Sequence, residues 1–326
     1  SSIFSDSIFA SLIGYGFETD TFFAIAMFGL LLFTVSNTFK TKDSIFYAYI
    51  AFFASFVVVA LYQLVRIFAP IDFMSFGVLI GKTSNLVGKW SDFGIFSGLV
   101  LLMSIISLEF LKLDKLFKIF LYGAMALSLF FLILINLPAV WVVIGVVSLM
   151  ILIYGLSERY TSVVSVKAKF SSLSVAGIII SILFLIGGTS IQDYISNSLG
   201  IGNIESRPSW QSTIMVAKEG IQKNPIFGAG PNRFSSEWFL NKPIDVNATP
   251  FWDADFSFGV GFVPTSAITV GVLGFVAWLL FLLGIAYEGF KIVIGGKTDN
   301  FWRFLTLSSF SATLYLGYYW SSILQT

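Results

Sequence analysis

Long runs without a single charged side chain are the feature that most restricts what this chain can fold into. The longest run, 119–157, contains no Asp, Glu, Lys or Arg. Shorter charge-free runs occupy 21–39, 44–65, 93–108, 170–192, 256–287 and 304–326. A charge at the centre of a bilayer costs about 2.5–3.5 kcal/mol on insertion scales, so such runs are typical of membrane-spanning helices. The sequence therefore predicts a polytopic membrane protein.

The number of spans follows from the length of these runs. The run 119–157 is too long for one span of about 20 residues, and Asn136-Leu137-Pro138 divides it into two helices with a tight turn. The predicted spans lie near 20–37, 45–68, 93–111, 116–136, 138–156, 173–191, 263–287 and 303–323. We therefore predict an all-α fold of about eight transmembrane helices, a single membrane domain over 1–326. Because the chain begins at Ser1 rather than Met, we expect a fragment or processed form of something longer.

The positions of Lys and Arg predict the orientation. Most of the 19 basic residues lie in the short loops that follow the first, third, fifth and seventh spans. Cytoplasmic loops carry an excess of Lys and Arg, so this distribution places both termini on the outer side. The 192–262 loop, the longest polar stretch, is then an outer-face loop.

Composition excludes several classes of function. The chain is 56% hydrophobic and 11% charged, and it has no cysteine and no histidine. Without these two residues there is no disulfide framework, no Cys/His metal site, no Cys nucleophile and no His general base. A net charge of +1 lacks the basic footprint of a nucleic-acid-binding protein. We predict no metal, no cofactor and no nucleic-acid partner.

The outer-face loop contains a predicted helix at 208–223. Pro208 suits the first helical position, and Asn224 with the proline after it ends the helix. Its apolar stripe consists of Trp210, Ile214, Ala217 and Ile221. We expect this helix to lie against the membrane or to cap the helix bundle.

Two features at the ends of this helix suit a phosphate ligand. Arg207 precedes the helix N-terminus, where free backbone N–H groups and the helix dipole favour the same anion as the guanidinium. After the helix, Gly228-Ala229-Gly230 allows a tight turn and a close backbone approach.

Together these residues resemble the signature of the O-antigen ligase and O-antigen polymerase superfamily. That signature is an Arg, a Trp three residues later, an amphipathic helix, then Pro-x-x-Gly-x-Gly and an aromatic, as in Arg207, Trp210 and 225–234. Gly271 and Gly274 resemble the Gly-x-x-Gly that follows the same loop.

Two further stretches extend the resemblance, which covers roughly 80–325. The stretch 85–92 is similar to the earlier glycine- and asparagine-rich outer loop of these proteins. With 249–253, the combination is most similar to a bacterial subset of ligase-like membrane proteins.

The resemblance implies a GT-C-like glycosyltransferase of the bacterial cytoplasmic (inner) membrane. Such enzymes move a glycan from undecaprenyl pyrophosphate to an acceptor hydroxyl on the outer face, without a metal or a nucleotide sugar. The implied partners are an undecaprenyl-pyrophosphate-linked glycan donor, membrane lipids, and a glycan, lipid or protein acceptor.

The resemblance also implies which residues bind the donor. Pyrophosphate leaves from the anomeric carbon, and basic residues must neutralise it. The family arginine of the long loop falls on Arg207. We place a second family arginine at Arg66, from its position at the outer end of span 2. Lys89 and Arg233 are expected to assist, with the pyrophosphate near Arg207.

The sequence departs from the family in lacking its histidine. Classical ligases place this His shortly before the Gly-x-x-Gly, which here corresponds to 259–261. A base that activates the acceptor hydroxyl must then be a carboxylate, and the candidates are Asp253, Asp255 and Asp92. A changed acceptor or a lost activity is also compatible with the absence.

Several of these residues have structural interpretations as well. Asp92 suits the N-cap of span 3, and Arg66 is expected to snorkel to the interface. Trp90 and Trp210 are interpreted as packing or interface aromatics, with sugar stacking as the alternative. The active cleft is predicted between the 192–262 loop and the 69–92 connection.

Two other classes of function stay open. A transporter of lipid-linked intermediates would have charged residues in the middle of its spans, or paired Gly/Pro breaks in its helices. A non-catalytic membrane scaffold is consistent with the missing histidine.

Overall fold

A computed structural model describes residues 1–15, 18–70, 73–79, 81–161, 171–201, 208–294 and 300–321. Within these ranges the chain is helical and contains no strand. The α-helices are α1 Ile8–Leu12, α2 Phe22–Thr38, α3 Lys42–Phe68, α4 Trp90–Phe110, α5 Lys115–Ile135, α6 Pro138–Thr161, α7 Ser172–Leu199, α8 Trp210–Lys223, α9 Phe234–Asn241, α10 Phe262–Ile294 and α11 Asn300–Ser321. Two short 3-10 helices lie at Ser2–Phe4 and Ile244–Ala248.

Every predicted span falls on one of these helices. The helices that are long and apolar enough to cross a membrane are Lys42–Phe68, Trp90–Phe110, Lys115–Ile135, Ser172–Leu199 and Pro264–Glu288. Two further apolar segments are shorter: the helix Phe22–Thr38 and the part of α6 at Pro138–Ile153. Within the described residues the chain is therefore all-helical with five candidate membrane spans, and the count of eight and the orientation stay predictions.

The helices group into two compact units, each built from segments distant in sequence. The motif unit consists of Ser1–Thr41, Glu205–Ile285 and Tyr319–Thr326. The core unit consists of Lys42–Ile204 and Ala286–Tyr318. The motif unit thus holds the resemblance motifs of the long loop, and the core unit holds Arg66 and the 69–92 connection.

In the core unit, α4 is the central helix. It packs against α5 and α6. The apolar part of α4 is 67% buried inside the protein, compared with 17% for the apolar part of α3. Gly98 allows a close approach, since a Cβ there would lie 2.2 Å from Tyr315 Oη and 2.6 Å from Val140. The Tyr315 hydroxyl donates to the backbone carbonyl of Ile95 at 2.8 Å. Small residues at such crossings let membrane helices pack at short distance.

The predicted break at Asn136 is confirmed, and α7 extends beyond its predicted end. Asn136 ends α5 in the left-handed conformation, at φ 48°. Its side-chain oxygen accepts the indole N–H of Trp141 at 3.0 Å, and its amide donates to Gln192 at 3.4 Å. Gln192 in turn donates to the carbonyl of Ile135 at 3.1 Å. α7 continues as a helix to Leu199 rather than ending at 191, and Gln192 at the start of this extension contacts the turn.

Candidate functional site

The glycine turn of the motif unit fits into a break in α10. The helix is interrupted at Gly271, whose φ is 67° and ψ −172°. Four backbone hydrogen bonds join the turn to the break: Ala229 N to Ile268 O at 2.9 Å, Gly230 N to Thr269 O at 2.8 Å, Val272 N to Pro225 O at 3.0 Å, and Leu273 N to Ile226 O at 3.2 Å. Backbone groups freed inside an apolar helix must find new partners, and the turn supplies them.

Both glycine motifs are needed for this contact. A Cβ on Gly228 would lie 2.5 Å from the Gly271 nitrogen and 2.6 Å from the Ile268 oxygen. A Cβ on Gly271 would lie 2.4 Å from the Ile226 oxygen. The two motifs, about forty residues apart in sequence, therefore form one structural element whose backbones touch.

The N-terminal segment of the chain packs against the other side of the turn. A Cβ on Gly230 would lie 2.5 Å from the hydroxyls of both Ser5 and Ser11, which are buried and hydrogen-bonded to each other. The side-chain amide of Asn232 donates to the carbonyl of Ala10 at 3.3 Å. The turn is thus fixed from two sides, and its conformation is set before any ligand binds.

Arg233 follows this turn directly, and its guanidinium is free. Its backbone carbonyl accepts the Glu237 N–H at the start of α9. The side chain is half-buried and makes no hydrogen bond or ion pair with any part of the chain that the structure describes. Since a guanidinium offers five N–H donors, Arg233 can bind an anion next to the turn.

Asp20 is a partly buried carboxyl of the motif unit. It precedes Thr21, the N-cap of α2, and it is half-buried. Burial raises the pKa of Asp20 above its ordinary value of 3.8, and the charge of Glu18 adds to the rise. The backbone N–H groups of Asp20 and Asn232 act in the opposite direction.

Sequence analysis did not select Asp20, although a signal for it exists. It stands immediately before the charge-free run 21–39, as Asp92 stands before the run 93–108.

Gly259, the first of the three positions expected for the family histidine, is closed to a side chain. The hydroxyl of Thr213 on α8 accepts the Val260 N–H at 3.0 Å, which holds this segment against the helix. A Cβ on Gly259 would lie 2.4 Å from Thr213 Cγ2 and 3.0 Å from the ring of Phe234. Side chains have no room at Gly259, so a base must come from elsewhere in the site.

The predicted helix over 208–223 is confirmed, with small corrections. It runs Trp210–Lys223 with Ser209 as the N-cap, so Pro208 lies before the cap rather than at the first helical position. The face buried in the protein consists of Ser212, Thr213, Val216, Ala217 and Gly220. Of the predicted stripe, Ala217 is buried, Trp210 is half-buried and Ile214 is exposed. Arg207 lies outside the described residues.

The two loop carboxylates proposed as bases are exposed. Asp255 accepts a hydrogen bond from the Ser235 hydroxyl of α9. Asp253 makes no hydrogen bond or ion pair within the described ranges. Nearby, the Lys242 ammonium donates to the Trp252 carbonyl and lies 5.2 Å from the centre of the Phe239 ring.

In the core unit, Arg66 organises the connection between α3 and α4. It is only 2% exposed, and its guanidinium donates to the carbonyls of Ser84 at 2.5 Å, Leu79 at 2.8 Å and Gly81 at 2.9 Å. The expectation of a snorkelling arginine is wrong, because the side chain turns inward to the connection that follows α3. These contacts give Arg66 a positioning role.

The other predicted residues of this connection contribute mainly to helix packing and capping. Lys89 is the N-cap of α4, and its backbone N–H donates to the Asp92 carboxylate at 2.9 Å. Asp92 therefore caps the helix from its third position rather than as the N-cap itself. Trp90 is buried and packs at 6.1 Å from the ring of Phe93, while Lys89 is exposed.

No family model matches this chain, and no curated protein matches it either.

Proposed function

We propose that this chain is a glycosyltransferase of the O-antigen ligase and polymerase type, which moves a glycan from undecaprenyl pyrophosphate to an acceptor hydroxyl on the outer face of the bacterial inner membrane. The observation that carries the proposal is the contact between the Gly228 turn and the Gly271 break. The resemblance joins these two motifs by sequence alone, and the fold joins them by four hydrogen bonds. Arg233 extends from this element as a free cation.

The chemistry requires a fixed positive site for the leaving group. The acceptor oxygen forms a bond to the anomeric carbon, and the bond from that carbon to the pyrophosphate oxygen breaks. A pre-organised cation stabilises the negative charge that develops on the pyrophosphate, without reorganisation at the moment of reaction. Arg233, on a turn fixed from both sides, meets this requirement, and Arg207 is proposed as the second cation from the start of α8.

The break in α10 bears on the transporter alternative. Discontinuous membrane helices are a feature of transporters, where the freed backbone groups bind substrate or ions. Here the amides of Val272 and Leu273 and the carbonyls of Ile268 and Thr269 are all taken by the glycine turn. Because these groups already have partners, the break favours an anchored loop over an ion path.

Glycan transfer in proteoliposomes tests the proposal. The full-length protein is given a purified undecaprenyl-pyrophosphate-linked glycan and, in turn, a lipid-linked sugar, a glycan repeat and a peptide as acceptor. We expect transfer by the wild type and a loss of about 10²–10³-fold in Arg233→Ala and Arg207→Ala. Lys218→Ala is the matched control, because this lysine is exposed on α8 and makes no hydrogen bond or ion pair with a described residue.

The outcomes separate the three functional classes. Donor binding that depends on Arg233, without transfer to any acceptor, would favour the transporter. Neither binding nor transfer would favour the scaffold. Equal loss in Lys218→Ala would show that the effect is not specific to the site.

A further inference from the structure

The N-terminal segment, residues 1–13, has polar side chains on its buried face and apolar side chains on its exposed face. The buried face consists of Ser2, Ser5, Ala10 and Ser11. The exposed face, with exposed fractions of 49–75%, consists of Ile3, Phe4, Ile8, Phe9 and Ile13. In a protein surrounded by water, serine is mostly exposed, and isoleucine and phenylalanine are among the residues most often buried. The segment therefore presents to its surroundings a surface that suits hydrocarbon rather than water.

Contacts with the glycine turn fix this orientation of the segment. The Ser11 hydroxyl donates to the Ser5 hydroxyl at 2.8 Å, and a Cβ on Gly230 would lie 2.5 Å from both oxygens. The carbonyl of Ala10 accepts the side-chain amide of Asn232 at 3.3 Å. Because the polar face is held against the turn, the apolar face points outward.

The segment also contacts α10, within the apolar stretch of that helix. This stretch, Pro264–Glu288, is one of the candidate membrane spans. The Ser1 hydroxyl donates to the Thr269 carbonyl at 3.1 Å, and the same carbonyl accepts the Gly230 N–H. Thr269 lies five residues beyond Pro264. At about 1.5 Å per residue, these contacts are about 8 Å inside the apolar stretch.

The exposed apolar surface continues from α10 across the turn to the N-terminal segment. The Leu273 N–H donates to the Ile226 carbonyl at 3.2 Å, and these two residues are 62% and 57% exposed. Phe227 in the turn stacks on Phe4 of the segment, with ring centres 4.3 Å apart. A surface that begins on a candidate membrane span is covered by what covers the span, which is lipid.

We propose that the N-terminal segment and the glycine turn form a re-entrant element, which lies in the bilayer beside α10 with its apolar face against lipid chains. The inference does not depend on the transferase function. Irregular backbone is tolerated at membrane depth where protein groups satisfy it, and the break in α10 does so for the turn.

Asp6 sets the depth of this element. It is the only charged side chain within 1–13, and it is exposed. A charge is costly at the bilayer centre, so the element lies at the boundary between headgroups and acyl chains. Arg233 follows the turn directly, and its guanidinium is thereby placed at the membrane boundary, where lipid phosphates lie. An amphiphilic ligand with a phosphate and a long hydrocarbon chain can bring both parts to this element.

Spin labels at single introduced cysteines test the placement, in vesicles of phosphatidylcholine and phosphatidylglycerol that contain the full-length protein. The chain has no cysteine of its own, so each label reports one position. Phe9→Cys and Ile226→Cys report the proposed lipid face, and Leu280→Cys is the control on the exposed face of α10. Glu219→Cys, at an exposed acid of α8, is the control for water.

The measurement compares relaxation of each label by oxygen, which concentrates in hydrocarbon, with relaxation by a water-soluble nickel chelate. We expect the oxygen-to-nickel ratio at Phe9 and Ile226 to approach that at Leu280 and to exceed that at Glu219 several-fold. A ratio like that of Glu219 at either position overturns the inference. Low accessibility to both reagents means that protein covers the face, which overturns it as well.

A second measurement uses the wild type, so it decides the matter if a cysteine variant does not fold. A lipid-soluble carbene precursor is activated by light in the same vesicles, and the labelled peptides are identified by mass spectrometry. We expect labels on peptides that contain 3–13 and 226–227, at a level similar to the peptides of α10. Labelling of α10 without labelling of 3–13 overturns the inference.

Discussion

The backbones of Gly228 and Gly271 are in direct contact. A Cβ on Gly228 would lie 2.5 Å from the Gly271 nitrogen, and a Cβ on Gly271 would lie 2.5 Å from the Gly228 nitrogen. Gly271 also has φ 67° and ψ −172°, a region that is essentially restricted to glycine. The loop turn and the helix break are therefore stable only together.

Gly271→Ala is expected to destabilise the protein strongly. The backbone conformation alone accounts for about 1–3 kcal/mol, and the collision with the Ile226 oxygen at 2.4 Å adds to it. Gly228→Ala should have a similar effect. The double variant should lose less stability than the sum of the two single losses, because either substitution already separates the turn from the break. Thermal unfolding of the detergent-solubilised protein measures all three.

Gly284→Ala is the matched control in the same helix. A Cβ at this position would meet nothing within 4 Å, and alanine favours a helix by roughly 1 kcal/mol over glycine. We expect an unchanged or raised midpoint. A Gly271→Ala protein as stable as Gly284→Ala would contradict the interlocked arrangement.

The long apolar helices could be predicted from sequence, because charge-free runs and Asn136-Leu137-Pro138 are local signals, whereas α1 and α9 were not predicted. Both glycine motifs could be identified through the family resemblance. The contact between Gly228 and Gly271 could not. It is formed by backbone hydrogen bonds and by glycines whose missing side chains allow the close approach, so the residue types of one motif do not indicate that it contacts the other. For the same reason the sequence did not show that Gly259 is closed by Thr213.

The arginines show a second limit of sequence analysis. Position at the end of a span predicts that Arg66 reaches the interface, but the outcome depends on whether nearby carbonyls need donors. The loop over 79–84 leaves three carbonyls to be satisfied, and Arg66 turns inward to them. Arg233 has no such neighbours in the described structure and stays free.

Arg66→Lys should release the connection between α3 and α4 although it preserves the charge. An ammonium cannot reproduce the planar fork that reaches three carbonyls at once. Loss of even one charged hydrogen bond costs about 1.5–3 kcal/mol. We expect faster amide hydrogen exchange over 73–89, while exchange in α5 is unchanged. Lys89→Ala, at an exposed position of the same connection, should leave the exchange of 73–79 as in the wild type.

Gly259→Ala should destabilise the segment before α10, and Thr213→Ser should rescue it. The added Cβ would collide with Thr213 Cγ2 at 2.4 Å, whereas serine removes that methyl group and keeps the hydroxyl that accepts the Val260 N–H. Overpacking of this kind costs about 1–3 kcal/mol. Thermal unfolding of the two single variants and the double variant tests the coupling, and additive effects would show that Thr213 is not what closes the position.

The pH dependence of stability tests the burial of Asp20 in the folded chain. Because burial raises the pKa of this acid above 3.8 in the folded chain, the folded state binds the proton more tightly than the unfolded state. Its contribution to the free energy of unfolding is therefore largest below pH 3.8. That contribution falls as the pH rises through the folded-state pKa. At neutral pH the ionised Asp20 destabilises the fold.

Asp20→Asn removes this ionisation and keeps the size and polarity of the side chain. We expect the variant to match the wild type in acid and to unfold at a higher temperature at neutral pH. Asp6→Asn should change neither value, because Asp6 is exposed. A variant less stable than the wild type at neutral pH would mean that the charged carboxylate stabilises the fold.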